Sequence, residues 1–188
     1  MNEANIRAEI QKAIQDLGGY YYHAPDVNVK EARSRPDIFV AAFRTVVIEV
    51  KKVTTWEYEK GDFKGALTGQ FDLRDIRKGQ RHLMDSLVEA QLPGYFAIGN
   101  VSKDRRIVER NILVIPWSRW SEYEWSLGDE KFAYWHDILQ NFDDSFGMDR
   151  IEGQFKFPRT HPTYHQCTGQ FKWLEKPTSR RFEEEEKK

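Results

Sequence analysis

Ionised side chains punctuate two otherwise apolar, β-prone runs. Asp37 opens Asp37-Ile38-Phe39-Val40, and Glu49 and Lys51 interrupt Val46-Val47-Ile48-Glu49-Val50-Lys51-Lys52. Strand side chains alternate between faces, so Glu49 and Lys51 share one. If the runs form an antiparallel hairpin turning near Phe43 to Thr45, Asp37 comes opposite or diagonal to both. Two converging carboxylates make sense around a divalent cation, and Mg²⁺ takes one or two carboxylates completed by waters and a phosphate oxygen. Asp37 and Glu49 are the expected metal ligands, with the backbone carbonyl of Val50 a further one. On a phosphodiester, such a cation would polarise the phosphoryl oxygen and lower the pKa of a bound water. Lys51 would orient that water or stabilise the developing negative charge. The competing reading is a charged hairpin on a solvated surface. The flanking residues Val46 to Val50 are too apolar for a solvated strand, which argues against it.

The elements that must position these residues are visible as periodicities. Ile6, Ile10, Ala13, Ile14 and Leu17 recur at spacings of three and four, the mark of a helix with one buried face, and Gly18-Gly19 stops it. Tyr20 to His23 reads as a short strand. The hairpin follows. Residues 54–70 show no period and read as an excursion from the core. Asp72 to Gln91 reads as a helix ended by Pro93-Gly94, with Ile76, Gln80, Leu83 and Leu87 on one face. Gln80 puts an amide on that apolar face; it either serves the site or satisfies backbone groups as a structural amide. Two more strands, Tyr95 to Ile98 and Ile112 to Ile115, complete an αβββαββ order. A helix is expected from about Asp129 to Phe142.

Asp37 after a proline, Glu-x-Lys twelve residues later and this order of elements resemble the PD-(D/E)xK nuclease superfamily over roughly residues 2–117. Ser34-Arg35-Pro36-Asp37, Glu49-Val50-Lys51 and the segment Phe71 to Leu83 are most similar to the RecU-type Holliday-junction resolvases of bacteria and their phage counterparts. Val50 stands where that branch commonly has a small residue, and Gly79 where it has a histidine. VRR-type nucleases share the same core. The resemblance implies a restriction-endonuclease-like α/β fold with a central mixed sheet flanked by helices. It also implies Mg²⁺-dependent cleavage of branched DNA, with Mn²⁺ able to substitute, in recombination or repair. Asp37, Glu49, Lys51 and Gln80 would be catalytic, and the protein would be a homodimer that cuts two symmetry-related strands. Members often carry a further acid on the first helix. Glu9, beside buried Ile10, is the candidate, ahead of Glu3 near the helix end. A linear-duplex endonuclease or exonuclease and a non-catalytic DNA-binding module are the alternatives.

The rest of the chain sets bounds. Its 188 residues, 39% hydrophobic, suit one domain with appendages. The expected parts are a nuclease core over 1–117, an aromatic-rich helical extension over 118–147 packing on that core, and an irregular segment over 148–188 with a charged tail. A formal net charge of −1 excludes a general polycation, so DNA contacts must be local. Arg35, Lys52, Arg74, Arg77, Lys78 and Arg81 flank the site and are the candidates, each with an ordinary solvated charge as its alternative. Trp56, Tyr58 and Phe63 could stack on unpaired bases or pack on the core. A lone cysteine, Cys167, excludes an internal disulfide. His161, His165 and Cys167 fall short of a tetrahedral zinc set. No apolar run is long enough for a membrane span, which leads to the expectation of a cytoplasmic protein in a bacterial or phage-infected cell.

Overall fold

The computed structural model describes residues 3–17, 20–23, 37–41, 45–57, 67–100, 112–151, 154–158, 164–165 and 170–171. Helix α1, Glu3–Asp16, buries Ile6, Ile10, Ala13 and Ile14 as its spacing predicts. Strands β1, Tyr20–His23, β2, Ile38–Ala41, and β3, Thr45–Glu57, follow as an antiparallel series. The hairpin register pairs Ile38 with Ile48, so Asp37, one residue before β2, falls opposite Glu49.

The excursion is corrected by the structure. β3 runs on to Glu57, and its end pairs with β4, Leu67–Asp72. The expected helix from Asp72 starts later. Asp72 caps a single 3₁₀ turn at Leu73–Asp75, accepting the Arg74 N–H at 3.0 Å, and helix α2 spans Lys78–Glu89. Its C-terminus closes as the sequence requires before Pro93. Gln91 turns left-handed at φ 56°, and the Leu92 N–H reaches back to Leu87 O at 2.8 Å.

Strand β5, Gly94–Asn100, lies parallel to β3, and β6, Ile112–Pro116, pairs antiparallel with β5. Helix α3, Trp117–Ser126, was not legible as a helix in the tryptophan-dense sequence. It buries Trp117, Trp120 and Tyr123, one turn apart along one face. The helix expected over Asp129 to Phe142 divides into β7, Phe132–Tyr134, which joins the sheet beside β4, and α4, Trp135–Phe146. The result is a seven-stranded mixed sheet ordered β1-β2-β3-β4-β7, with β5 and β6 branching from β3. Residues 148–158 are less irregular than expected: β8, Asp149–Ile151, and β9, Gln154–Lys156, form a hairpin against which α1 packs. A two-residue pair, β10, Tyr164–His165, with β11, Gln170–Phe171, completes the described elements. None of the described helices is long and apolar enough to cross a membrane.

The strands sort their side chains by parity. Val46, Ile48, Val50, Tyr95, Ala97, Ile112 and Val114 join the α1 core. Val47, Val53, Phe96, Ile98, Leu113 and Ile115 join a second core with Phe71, Trp117, Trp120, Trp135 and Phe142. Helices α3 and α4 therefore contribute, with α2, one of the two layers that bury the sheet, while β7 between them joins the sheet itself. Gly99 has a specific reason to be glycine: a Cβ there would lie 2.5 Å from Ile6 Cδ1, so its absence lets the first turns of α1 settle onto β5.

Candidate active site

β2 accompanies β3 only as far as Ile48, and β4 joins only at Thr54, so residues 49–53 are paired on β5 alone. Val50 N–H is thus a strand donor just past the end of its neighbour. The Asp37 side chain takes the role of the missing carbonyl, its Oδ2 accepting Val50 N–H at 2.8 Å. The Val50 carbonyl leaves the strand on the same edge as its N–H, towards Asp37. Asp37 Oδ1 accepts from the Arg7 guanidinium at 2.8 Å.

Glu49 lies on the opposite side of β3 from Val50 and Ile48, facing α2, and is 1% exposed. Such a buried carboxylate needs charged or hydrogen-bonding partners. Lys51 supplies one, its Nζ 2.6 Å from Glu49 Oε1. Gln80 Nε2 donates to the same oxygen. Gln80 sits in the first turn of α2, where its Oε1 also accepts the Arg77 N–H at 3.0 Å. One amide therefore ties the helix start to the carboxylate, so its two roles, site residue and backbone partner, coexist. Burial first, then the negative charge of Asp37, push the Glu49 carboxyl up to about 7, with Lys51 opposing and Glu3 adding to the rise.

The acid of α1 within electrostatic reach of Glu49 is accordingly Glu3. Glu9 stands six residues further on, roughly 9 Å along the helix axis and about 120° round it from Glu3. The helix end favours Glu3 because the first two turns of α1 carry Glu3, which acts on Glu49, and Arg7, which pairs with Asp37, while Ile10, Ala13 and Ile14 further along are buried on the sheet.

The donor set fits a magnesium-like cation. Asp37, Glu49 and the Val50 carbonyl are hard oxygen donors, and mutual repulsion between the acids is what such an ion relieves. Among the described residues no three His, Cys, Asp or Glu side chains gather closely enough to hold an ion by themselves. Asp37 and Glu49 would be the two carboxylates that hold such an ion.

The expected DNA contacts divide. Arg77 and Lys78 are exposed at the start of α2, and Lys52 is exposed on β3. Arg74 is exposed but forked onto Asp72, with contacts of 2.6 to 3.2 Å. Arg81 has internal partners: its guanidinium donates to Ile76 O at 3.2 Å, to Leu73 O and to Glu124, binding α2 to the preceding turn and to α3. Arg35, Tyr58, Phe63, His161 and Cys167 lie outside the described residues, as does the side chain of Trp56. Arg7 was missed. Its signal was its place one turn beyond Glu3 on the stripe that continues through Ile10 and Ile14.

No family model matches the chain, and no curated protein matches it. Nine chains of solved structures do. One is Hjc, a Holliday junction resolvase from the archaeal hyperthermophile Archaeoglobus fulgidus, 12% identical, covering 80% of this chain and 82% of that chain with a TM-score of 0.38.

Proposed function

We propose that the protein is a Mg²⁺-dependent endonuclease that hydrolyses DNA phosphodiester bonds, with branched DNA such as a Holliday junction as its substrate. The observation that carries the nuclease reading is the meeting of Asp37 and Glu49 across the hairpin register, with Lys51 and Gln80 both bonded to Glu49 Oε1. A bound Mg²⁺, or Mn²⁺ in its place, would supply Lewis-acid polarisation of the phosphoryl group and a water acidic enough to attack it.

The chain's own residues do the rest. Asp37, pinned through Oδ2 by Val50, and Glu49, whose Oε2 carries neither of the bonds from Lys51 and Gln80, offer oxygens to the cation. Lys51 places a positive charge beside the reacting phosphate, where it orients the nucleophile and stabilises the charge growing on the phosphoryl oxygens. Gln80 is a positioning residue that holds the Glu49 rotamer and acts through it. Arg77, Lys78 and Lys52 are exposed cations available to flanking phosphates. The junction preference and the homodimer rest on the family resemblance of the motif segments.

Asp37→Ala and Lys51→Ala are expected to lower Mg²⁺-dependent cleavage of a synthetic four-way junction by about 10³-fold while leaving junction binding largely intact. Wild-type-like cleavage by either folded variant would overturn the assignment. Preference for linear duplex over junction, flap and single strand would replace the junction by the duplex as substrate. A flat Mn²⁺ titration of the wild type would favour a DNA-binding module.

A further inference from the structure

Helix α1 delivers a cation to the site as well as an acid. Arg7 and Asp37 form a pair at 2.8 Å whose side chains are only 15% and 21% exposed. The carboxylate does not depend on Arg7 for its orientation, because Val50 N–H fixes the other oxygen at 2.8 Å. What Arg7 brings is charge. Glu3, Asp37 and Glu49 stand against Arg7 and Lys51, so the metal-free site already carries cations where a divalent ion would enter. A second cation approaching Asp37 is opposed by the first, and more strongly in a partly desolvated site than in water.

We infer that Arg7 is the resident counter-ion of Asp37, displaced when a divalent cation binds, and that the released guanidinium then takes a phosphate oxygen of the DNA. This rests on the metal-dependent nuclease reading and adds an order of events to it. A guanidinium suits the handover, since its planar fork of donors matches carboxylate and phosphate alike. The coupling is reciprocal: if metal frees Arg7 for DNA, DNA that engages Arg7 tightens metal by the same factor.

The test uses the full chain. Mn²⁺ is titrated calorimetrically into wild type, Arg7→Gln and Arg7→Lys without DNA. Junction affinity is then measured with Mn²⁺ and with chelator in the Lys51→Ala background, where strands stay intact. Arg7→Gln is expected to bind Mn²⁺ about tenfold tighter than wild type, the size of effect that loss of a part-buried charge of like sign gives. Arg7→Lys, which keeps the charge, is expected to stay within about twofold of wild type. The Mn²⁺-induced gain in junction affinity is expected to be larger with Arg7 than with Gln, and an equal gain overturns the handover to phosphate. Equal or weaker Mn²⁺ binding by folded Arg7→Gln overturns the inference while the nuclease reading stands. Wild type that binds no Mn²⁺ removes both. Arg7→Met, which keeps the aliphatic stem, repeats the comparison if Arg7→Gln fails to fold.

Discussion

One face of the sheet is closed by α1 with Ile6, Ile10, Ala13 and Ile14 lying on Ile48, Val50 and Ala97, while the other is closed by α3 and α4 with a cluster of large rings. In that cluster the Phe96 and Trp120 centroids are 4.2 Å apart, Phe71 meets Trp120 edge-on at 5.9 Å, and Tyr123 meets Phe142 at 5.3 Å. Each face also supplies partners to one carboxylate: α1 sends Arg7 to Asp37, and α2 sends Gln80 to Glu49. The small aliphatic face lets a helix approach closely enough for Arg7, one turn from its start, to reach the site edge. The aromatic face provides a second buried layer against which α2 and Glu49 are held, and Trp117 Nε1 donates to Asp85 at 2.7 Å to fasten α2 to α3.

The largest expected effect tests whether the aromatic layer is integral to the core. Trp120 is fully buried, and its Nε1 has no hydrogen-bond partner among the described residues, so its contribution is packing. Trp120→Ala is expected to cost about 3–5 kcal/mol in chemical denaturation, and Trp120→Phe clearly less. A cost under about 1 kcal/mol for the alanine variant would mean that the sheet is stable on its α1 face alone, and the contrast between the faces would fail.

A second effect separates the two carboxylate environments. The Glu49 carboxyl is raised from 4.5 to about 7 in the folded protein. Between those values the folded state holds a proton that the unfolded chain has released, so stability falls as pH rises through the window. In chelator, the loss from about pH 4.5 to 7 is expected to approach 3 kcal/mol as an upper figure, read from denaturation midpoints. Glu49→Gln should remove that part of the slope, and Mn²⁺ should reduce it by favouring the ionised form. An unchanged slope in Glu49→Gln would show that burial does not set this carboxylate apart.

How much of this was legible depended on how far each signal extended along the chain. The hairpin, α1 and the nearness of Asp37, Glu49, Lys51 and Gln80 to one another were readable because period two and period 3.6 ran over enough residues to be distinguished. β4 was not, since Leu67, Gly69 and Phe71 alternate over only six residues and one buried position is a glycine. α3 was hidden by its composition: tryptophan and tyrosine suit strands, and tertiary burial overrode that preference. Arg7 and Glu3 were obscured because a helix pattern says which residues are buried, but not which sheet edge its end overhangs.

The smallest expected effects divide two arginines that the sequence grouped together. Arg81 and Arg77 are four residues apart and both looked like phosphate contacts. Arg81 is 28% exposed and bonded to Glu124, Leu73 and Ile76, whereas Arg77 is exposed at the start of α2. Arg81→Ala leaves a half-buried carboxylate and two carbonyls each short of a donor, so it is expected to cost about 1–3 kcal/mol of stability with little change in the salt dependence of DNA binding. Arg77→Ala is expected to leave stability within about 0.5 kcal/mol. Its effect falls on DNA affinity, lowering the magnitude of the log–log slope against salt by about one. Melting curves and binding isotherms at several salt concentrations check both. If Arg81→Ala were the variant that changed the salt slope, the clamp between α2 and α3 would have to open on DNA, and the aromatic face would be a moving part of the interface.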